Sequence, residues 1–122
     1  MKMTNNEIYT YANSLLQHFN DSEQRLPVKV NFYLQKNKKT LIELAQDIEK
    51  TRIEIAQAHG SLDESGEQYA IDPDKIEIVA KELEDLFGLE QDVKIYTISI
   101  DAFNDDQLLT TAQMEALMFM ID

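Results

Sequence analysis

The chain contains no cysteine. That excludes a disulfide scaffold, a thiolate zinc site, an iron–sulfur cluster and a cysteine nucleophile. Three glycines and two prolines are the only strong breakers in 122 residues. Long regular elements are therefore expected. None of those glycines falls in a GxGxxG or GxxxxGK arrangement, so no phosphate-cradling loop is encoded. No apolar run approaches the roughly 20 residues that span a bilayer. The residues after Met1 (Lys2, Thr4, Asn5, Asn6, Glu7) are too polar for a secretory signal. A cytosolic protein, or a virion component released by lysis, is the expectation, with no membrane partner.

Positive charge is scarce in one half. Residues 1–60 carry eight Lys/Arg and seven Asp/Glu, whereas residues 61–122 carry three and sixteen. The net charge of −12 thus belongs to the C-terminal half. Such a field repels nucleic acid and anionic membrane and favours basic partner surfaces, besides keeping a small protein soluble. Apolar residues at 43% are enough for one packed core, and the length fits one domain spanning 1–122.

Periodicity places the elements. Thr4 and Glu7 form a capping-box pair, and Ile8, Ala12, Leu15 and Phe19 line one face of a helix over 4–20, ended by Asn20, Asp21 and Ser22. Pro27 opens a second helix over 27–59, in which Leu34, Leu41, Ile48 and Ile55 recur every seven residues. Val30, Leu44, Ala45 and Ala58 widen this stripe, and Gly60 suits a C′ position. So narrow and long a seam is coiled-coil-like and wants a partner helix. Residues 60–72 read as a solvated loop containing a short strand at 68–71. Asp72–Pro73 starts a third helix with Ile76, Val79, Leu83 and Leu86 inward and Gly88 at its end. Residues 92–100 alternate as a strand, with Tyr96, Ile98 and Ile100 on the more apolar side, expected to pair with 68–71 or with another chain. Thr110 and Gln113 form a second capping box, and Leu109 with Met114 a hydrophobic staple, for a last helix over 110–121. The fold class is α+β and predominantly helical: four helices, a long antiparallel αα-hairpin as spine, and a small two-stranded antiparallel sheet.

Chemistry is hard to find. His18 and His59 stand alone, without a second histidine or a carboxylate at ligand spacing, and a general base needs an orienting partner. The acids around Asp72, Asp74 and Ile76 fail as a calcium loop at the third ligand and at the sixth-position glycine, and Asp101, Asn104, Asp105 and Asp106 fail in spacing. No metal, no cofactor and no enzymatic activity are expected. Lys29, Lys36, Lys38 and Lys39, with Phe32 and Tyr33 among them, form one basic–aromatic cluster of the kind that binds single strands. A solvated helix face beside a core face explains it as well, and the acidic second half argues against direct nucleic-acid binding.

Three segments together resemble a known pattern: LPVKVNFYLQKNKKTLIELAQDIEKTRIEIAQ at 26–57, YAIDPDKIEIVAKELEDLFGLEQDVKIYTI at 69–98 and LTTAQMEALMFMID at 109–122. Their order resembles a family of small phage and prophage proteins, a domain of unknown function from phages of Gram-positive bacteria. It covers most of the chain as a pattern of helices and a strand. The resemblance implies a setting, a phage product acting in the bacterial cytoplasm or in a virion. It brings no functional residue with it.

Two functional expectations follow. One is a non-enzymatic accessory protein that binds a basic protein surface, such as a host nucleic-acid-handling or defence complex, and inhibits it. Its carriers would be Asp74, Glu77, Glu82 and Asp85, which share a helical face. The other is a virion structural or assembly protein, a tail or head module, with the long seam and the lone strand favouring a homodimer. The methionine-rich run Met114, Leu117, Met118 and Ile121 is either a partner-docking helix or the element that closes the core.

Overall fold

The computed structural model describes residues 1–19, 26–66, 68–103 and 109–122. The predicted stop at Asn20, Asp21 and Ser22, together with Glu67, Asn104, Asp105 and Asp106, lies outside them. The first strand, β1 (Lys2–Thr4), leads into helix α1 (Asn5–His18), whose capping box is formed as expected: Thr4 Oγ1 accepts from the Glu7 N–H at 3.1 Å, and Glu7 Oε1 accepts from the Thr4 N–H at 3.0 Å. Ile8, Ala12, Leu15 and the C-cap Phe19 are all buried.

Helix α2 runs from Val28–His59, 32 residues, or about 48 Å at 1.5 Å per residue. Pro27 stands at its N-cap rather than at its first helical position. The heptad seam is real: Val30, Leu34, Leu41 and Ile48 are buried and Ile55 is half-buried. Leu44 and Ala45 are half-buried, while Ala58 is exposed. The seam's partner is α1 of the same chain, running antiparallel. Tyr9 Oη donates to Glu49 Oε2 at 3.4 Å near one end, and Lys38 Nζ donates to the Phe19 carbonyl at 3.0 Å near the other. Fully burying each such aliphatic side chain stabilises by roughly 1.5–3 kcal/mol. A seam covered within the chain no longer calls for a second copy.

After α2, strand β2 (Gly60–Leu62) turns back into β3 (Tyr69–Ile71) as an antiparallel hairpin, with Ser61 opposite Ala70. Gly60 is extended, at φ −153°, not a left-handed helix stop. A Cβ there would clash with the Ala70 carbonyl oxygen, so close approach is what requires glycine. A single 3-10 turn (Pro73–Lys75) precedes α3 (Ile76–Gly88), and the Asp72 side chain makes no capping bond. Helix α3 folds back on the far end of α2. Its Leu86 carbonyl is taken by the Asn5 side chain at 2.8 Å. Strand β4 (Glu90–Asp92) pairs antiparallel with β1.

The expected strand at 92–100 and its pairing with 68–71 do not form. β3 pairs with its sequence neighbour β2, Val93 only extends the β1–β4 pairing by exchanging both backbone bonds with Met1, and residues 94–97 run without ladder partners among the described residues. Their polar groups are met piecemeal. The Val93 N–H donates to Met1 O at 2.8 Å, and the Ile98 N–H donates to Met120 O at 2.9 Å. The Tyr96 N–H donates to Asn37 Oδ1 at 2.8 Å, while Asn37 Nδ2 donates to the Tyr96 carbonyl at 2.9 Å. Without a pleat the alternation fails: Val93 and Ile98 are buried and Ile100 is exposed. Helix α4 (Thr111–Leu117) starts with the expected Thr110–Gln113 capping box and continues into a 3-10 turn (Met118–Met120). The α+β class, with its helical hairpin and small antiparallel sheets, is what the pattern predicted, with two such sheets among the described residues instead of one.

Candidate docking surfaces

The outer face of α3 is the first candidate. At 100° per residue, Glu77, Lys81 and Asp85 fall on one side of the helix, and Asp74 in the preceding turn continues the line. Asp74, Glu77, Glu84 and Asp85 are all exposed. Lys81 Nζ reaches Asp85 Oδ1 at 2.9 Å, and that carboxylate, with Glu84 nearby, raises the Lys81 pKa above its ordinary value. Among these charges sits Ile78, 43% exposed, one turn from Asp74, Lys81 and Glu82. An exposed isoleucine within a charged rim has the composition of a small protein-binding patch.

Glu82 stands apart from the other three predicted carboxylates. It is half-buried and turned toward α2, where both of its oxygens lie 3.1–3.2 Å from His59 Nε2. That contact joins residues 23 apart in sequence, which is why spacing rules showed His59 as partnerless. It ties α3 to the end of α2 and leaves Asp74, Glu77 and Asp85 as the outward stripe.

The C-terminal run is not an open docking helix. Leu117 and Met120 are fully buried, Met114 and Ile121 are half-buried, and only Met118 of the predicted set is exposed, at 60%. Phe119 stacks on Tyr11 at 4.9 Å between ring centroids. Ile121 forms a parallel bridge with Ile98, and the Asp122 N–H donates to the Ile98 carbonyl at 2.9 Å. The run closes the core: Phe119 meets Tyr11 of α1, Met120 Sδ lies 3.5 Å from the Asn37 amide of α2, and the backbone of 120–122 pairs with that of Ile98.

The second candidate is the opposite end of α2. Residues 26–42 contain four lysines and no acid. Lys38 is engaged structurally at the C-terminus of α1, where a cation meets orphan carbonyls. Lys29 and Lys36 decorate a row of rings. Phe32 and Tyr33 lie 6.2 Å apart and Tyr33 stacks on Tyr96 at 5.2 Å. An ammonium sits over each ring: Lys36 over Phe32 at 5.4 Å, Lys29 over Tyr33 at 5.7 Å and Lys94 over Tyr96 at 5.3 Å. Phe32 is 56% exposed and Val28 is 87% exposed. The sequence signal gave Phe32, Tyr33 and the α2 lysines; Tyr96 and Lys94 joined them only through the fold.

The clefts are less informative. One of about 380 Å³ is lined by Arg52, Ile53, Ala56, Gln68 and Tyr69, and another of about 420 Å³ follows α2 past Gln46, Glu49 and Ile53. Glu49 is held below the ordinary carboxylate range by its hydrogen bond from Arg52, and Arg52 is raised in turn. Both are thus fixed in their charged forms, the opposite of a poised acid or base. Among the described residues no three His, Asp or Glu side chains come together to hold a metal, and no helix is long and apolar enough to cross a membrane. Family models, curated proteins and solved structures offer no match to this chain.

Proposed function

We propose that this chain is a non-enzymatic binding protein that docks a basic protein surface through the outer face of α3. The observation carrying this reading is the placement of exposed Ile78 among Asp74, Glu77 and Asp85. Carboxylates would steer a basic partner over a distance of about a Debye length, roughly 8–10 Å at physiological salt. The isoleucine would supply the desolvated contact that slows its release. The resemblance to small phage proteins supports the setting: a phage product that occupies the nucleic-acid groove of a host protein in the bacterial cytoplasm and inhibits it. Assembly into a virion is the rival role.

The test is retention of host-lysate proteins on the immobilised chain at low and moderate salt. A nucleic-acid-binding host protein is expected to be held at low salt and released as salt rises. Ile78→Ser and the triple variant Asp74→Lys, Glu77→Lys, Asp85→Lys are each expected to lose it. Retention unchanged by the triple reversal sinks the reading. Recovery of phage structural proteins alone from a lysate of infected cells moves the role to assembly.

A further inference from the structure

The two candidate surfaces are complementary. One end of α2 presents Lys29 and Lys36 beside exposed Val28 and Phe32, and Lys94 joins them over Tyr96, which stacks on Tyr33. The outer face of α3 presents Asp74, Glu77 and Asp85 around exposed Ile78. Each is an apolar centre with a charged rim; the lysine end is basic, and the α3 rim is net acidic, with three carboxylates against Lys81, which pairs with Asp85. They cannot meet within one molecule. α3 is tied to His59, and Phe32 lies 27 residues back along the same helix, about 40 Å at 1.5 Å per residue. In a second copy both surfaces are free.

We propose that this chain self-associates head to tail, the lysine–aromatic end of one copy seated on the Ile78 face of α3 in the next. The proposal rests on the reading that this face is a docking surface, and names another copy of the chain as its basic partner. Such an interface is heterologous: it uses two different patches, and each copy keeps one patch unfilled until a ring closes or a chain grows. Most of its drive at long range is charge, so it weakens with salt. The rings already carry their own lysines, so the incoming carboxylates meet ammonium groups held in place by cation–π contacts.

Two variants separate the patches without disturbing the core, since all the altered side chains lie at the surface. The first is Lys29→Gln, Phe32→Ser and Lys36→Gln together; the second is Asp74→Asn, Glu77→Gln and Asp85→Asn together. Circular dichroism and thermal melts check that each folds. In sedimentation at low salt the wild type is expected to form species larger than a monomer that disperse as salt rises. Each variant alone is expected to associate at least about tenfold more weakly. An equimolar mixture of the two is expected to give a dimer that grows no further, because only one complete interface remains in the pair. A wild type that stays monomeric at low salt overturns the proposal, as does assembly that survives either variant or a mixture that stays monomeric. If the wild type is a monomer yet still retains a basic lysate protein through α3, self-association falls and the docking reading stands. If both are absent, both fall. Co-sedimentation of oligo-dT or oligo-U with the monomer, lost in the lysine-end variant, would name a polynucleotide as the occupant and overturn the proposal too.

Discussion

The two ends of α2 are built differently. At its N-terminal end, Val30, Leu34, Asn37 and Leu41 are buried under α1 and the segments around Tyr96 and Met120. At its C-terminal end, Ile55 is half-buried and Ile53 exposed, and the covering consists of α3 and a short hairpin. Stability is therefore concentrated in the first half of the helix. The far end is held by fewer, more polar contacts, such as His59–Glu82, and carries the acidic face. The lesson is that the densest packing and the acidic face occupy different ends, so each can be perturbed alone.

The largest effect should come from the dense end. Leu41→Ala removes a fully buried side chain and should cost about 3–4 kcal/mol in urea denaturation; a loss below about 1 kcal/mol would mean that the seam collapses easily and the contrast is false. Next is Asn37→Ala. Asn37 is 0% exposed, and its amide serves both backbone groups of Tyr96. Its loss should cost about 2–3 kcal/mol and speed amide exchange at Tyr96 and Ile98 well before the rest of the core. Uniform exchange would place the anchor elsewhere.

A smaller effect is expected at the thin end. Gly60→Ala drives a methyl into the Ala70 carbonyl and should cost about 1–2 kcal/mol, with changes in backbone chemical shift confined to the β2–β3 hairpin and the last turn of α2. Spread of those shifts to Leu34 or Leu41 would show that the two ends are coupled.

The smallest effect is electrostatic. Arg52 depresses the pKa of Glu49, so this pair stabilises above the unfolded carboxyl pKa and loses its contribution as pH falls through the lower folded value. Both side chains are more than a third exposed, and solvent screens them. Arg52→Ala should therefore match the wild type at acid pH and fall slightly below it at neutral pH. An equal gap at both would show that Arg52 acts by packing.

Both capping boxes, the heptad seam and the charge asymmetry were legible because each is written within a few residues or in bulk composition. Thr4–Glu7 and Thr110–Gln113 need only a spacing of three. The acidic stripe was three-quarters legible for the same reason, since helical periodicity places Asp74, Glu77 and Asp85 but says nothing of what Glu82 meets across the fold. The strand expected at 92–100 misled because alternation describes side chains and not what the backbone bonds to.

The sequence by itself determined the helices, their two capping boxes, the apolar stripes of α1 and α2 and the sign of charge in each half, which depend on neighbours within a turn or two or on bulk composition. It misplaced Asp72 as a cap and Ile76, which is exposed, as inward. Only the tertiary structure decided which asparagines matter. Asn5 donates to the Leu86 carbonyl and accepts from Gln91 Nε2 at 2.7 Å, 86 residues away, and Asn37 holds Tyr96 59 residues away. It also decided that α1 covers the seam and that Lys94 and Tyr96 complete the aromatic row. The physical reason is common to all of these: a buried amide must find partners wherever the packed chain brings them, and no local pattern records where that will be.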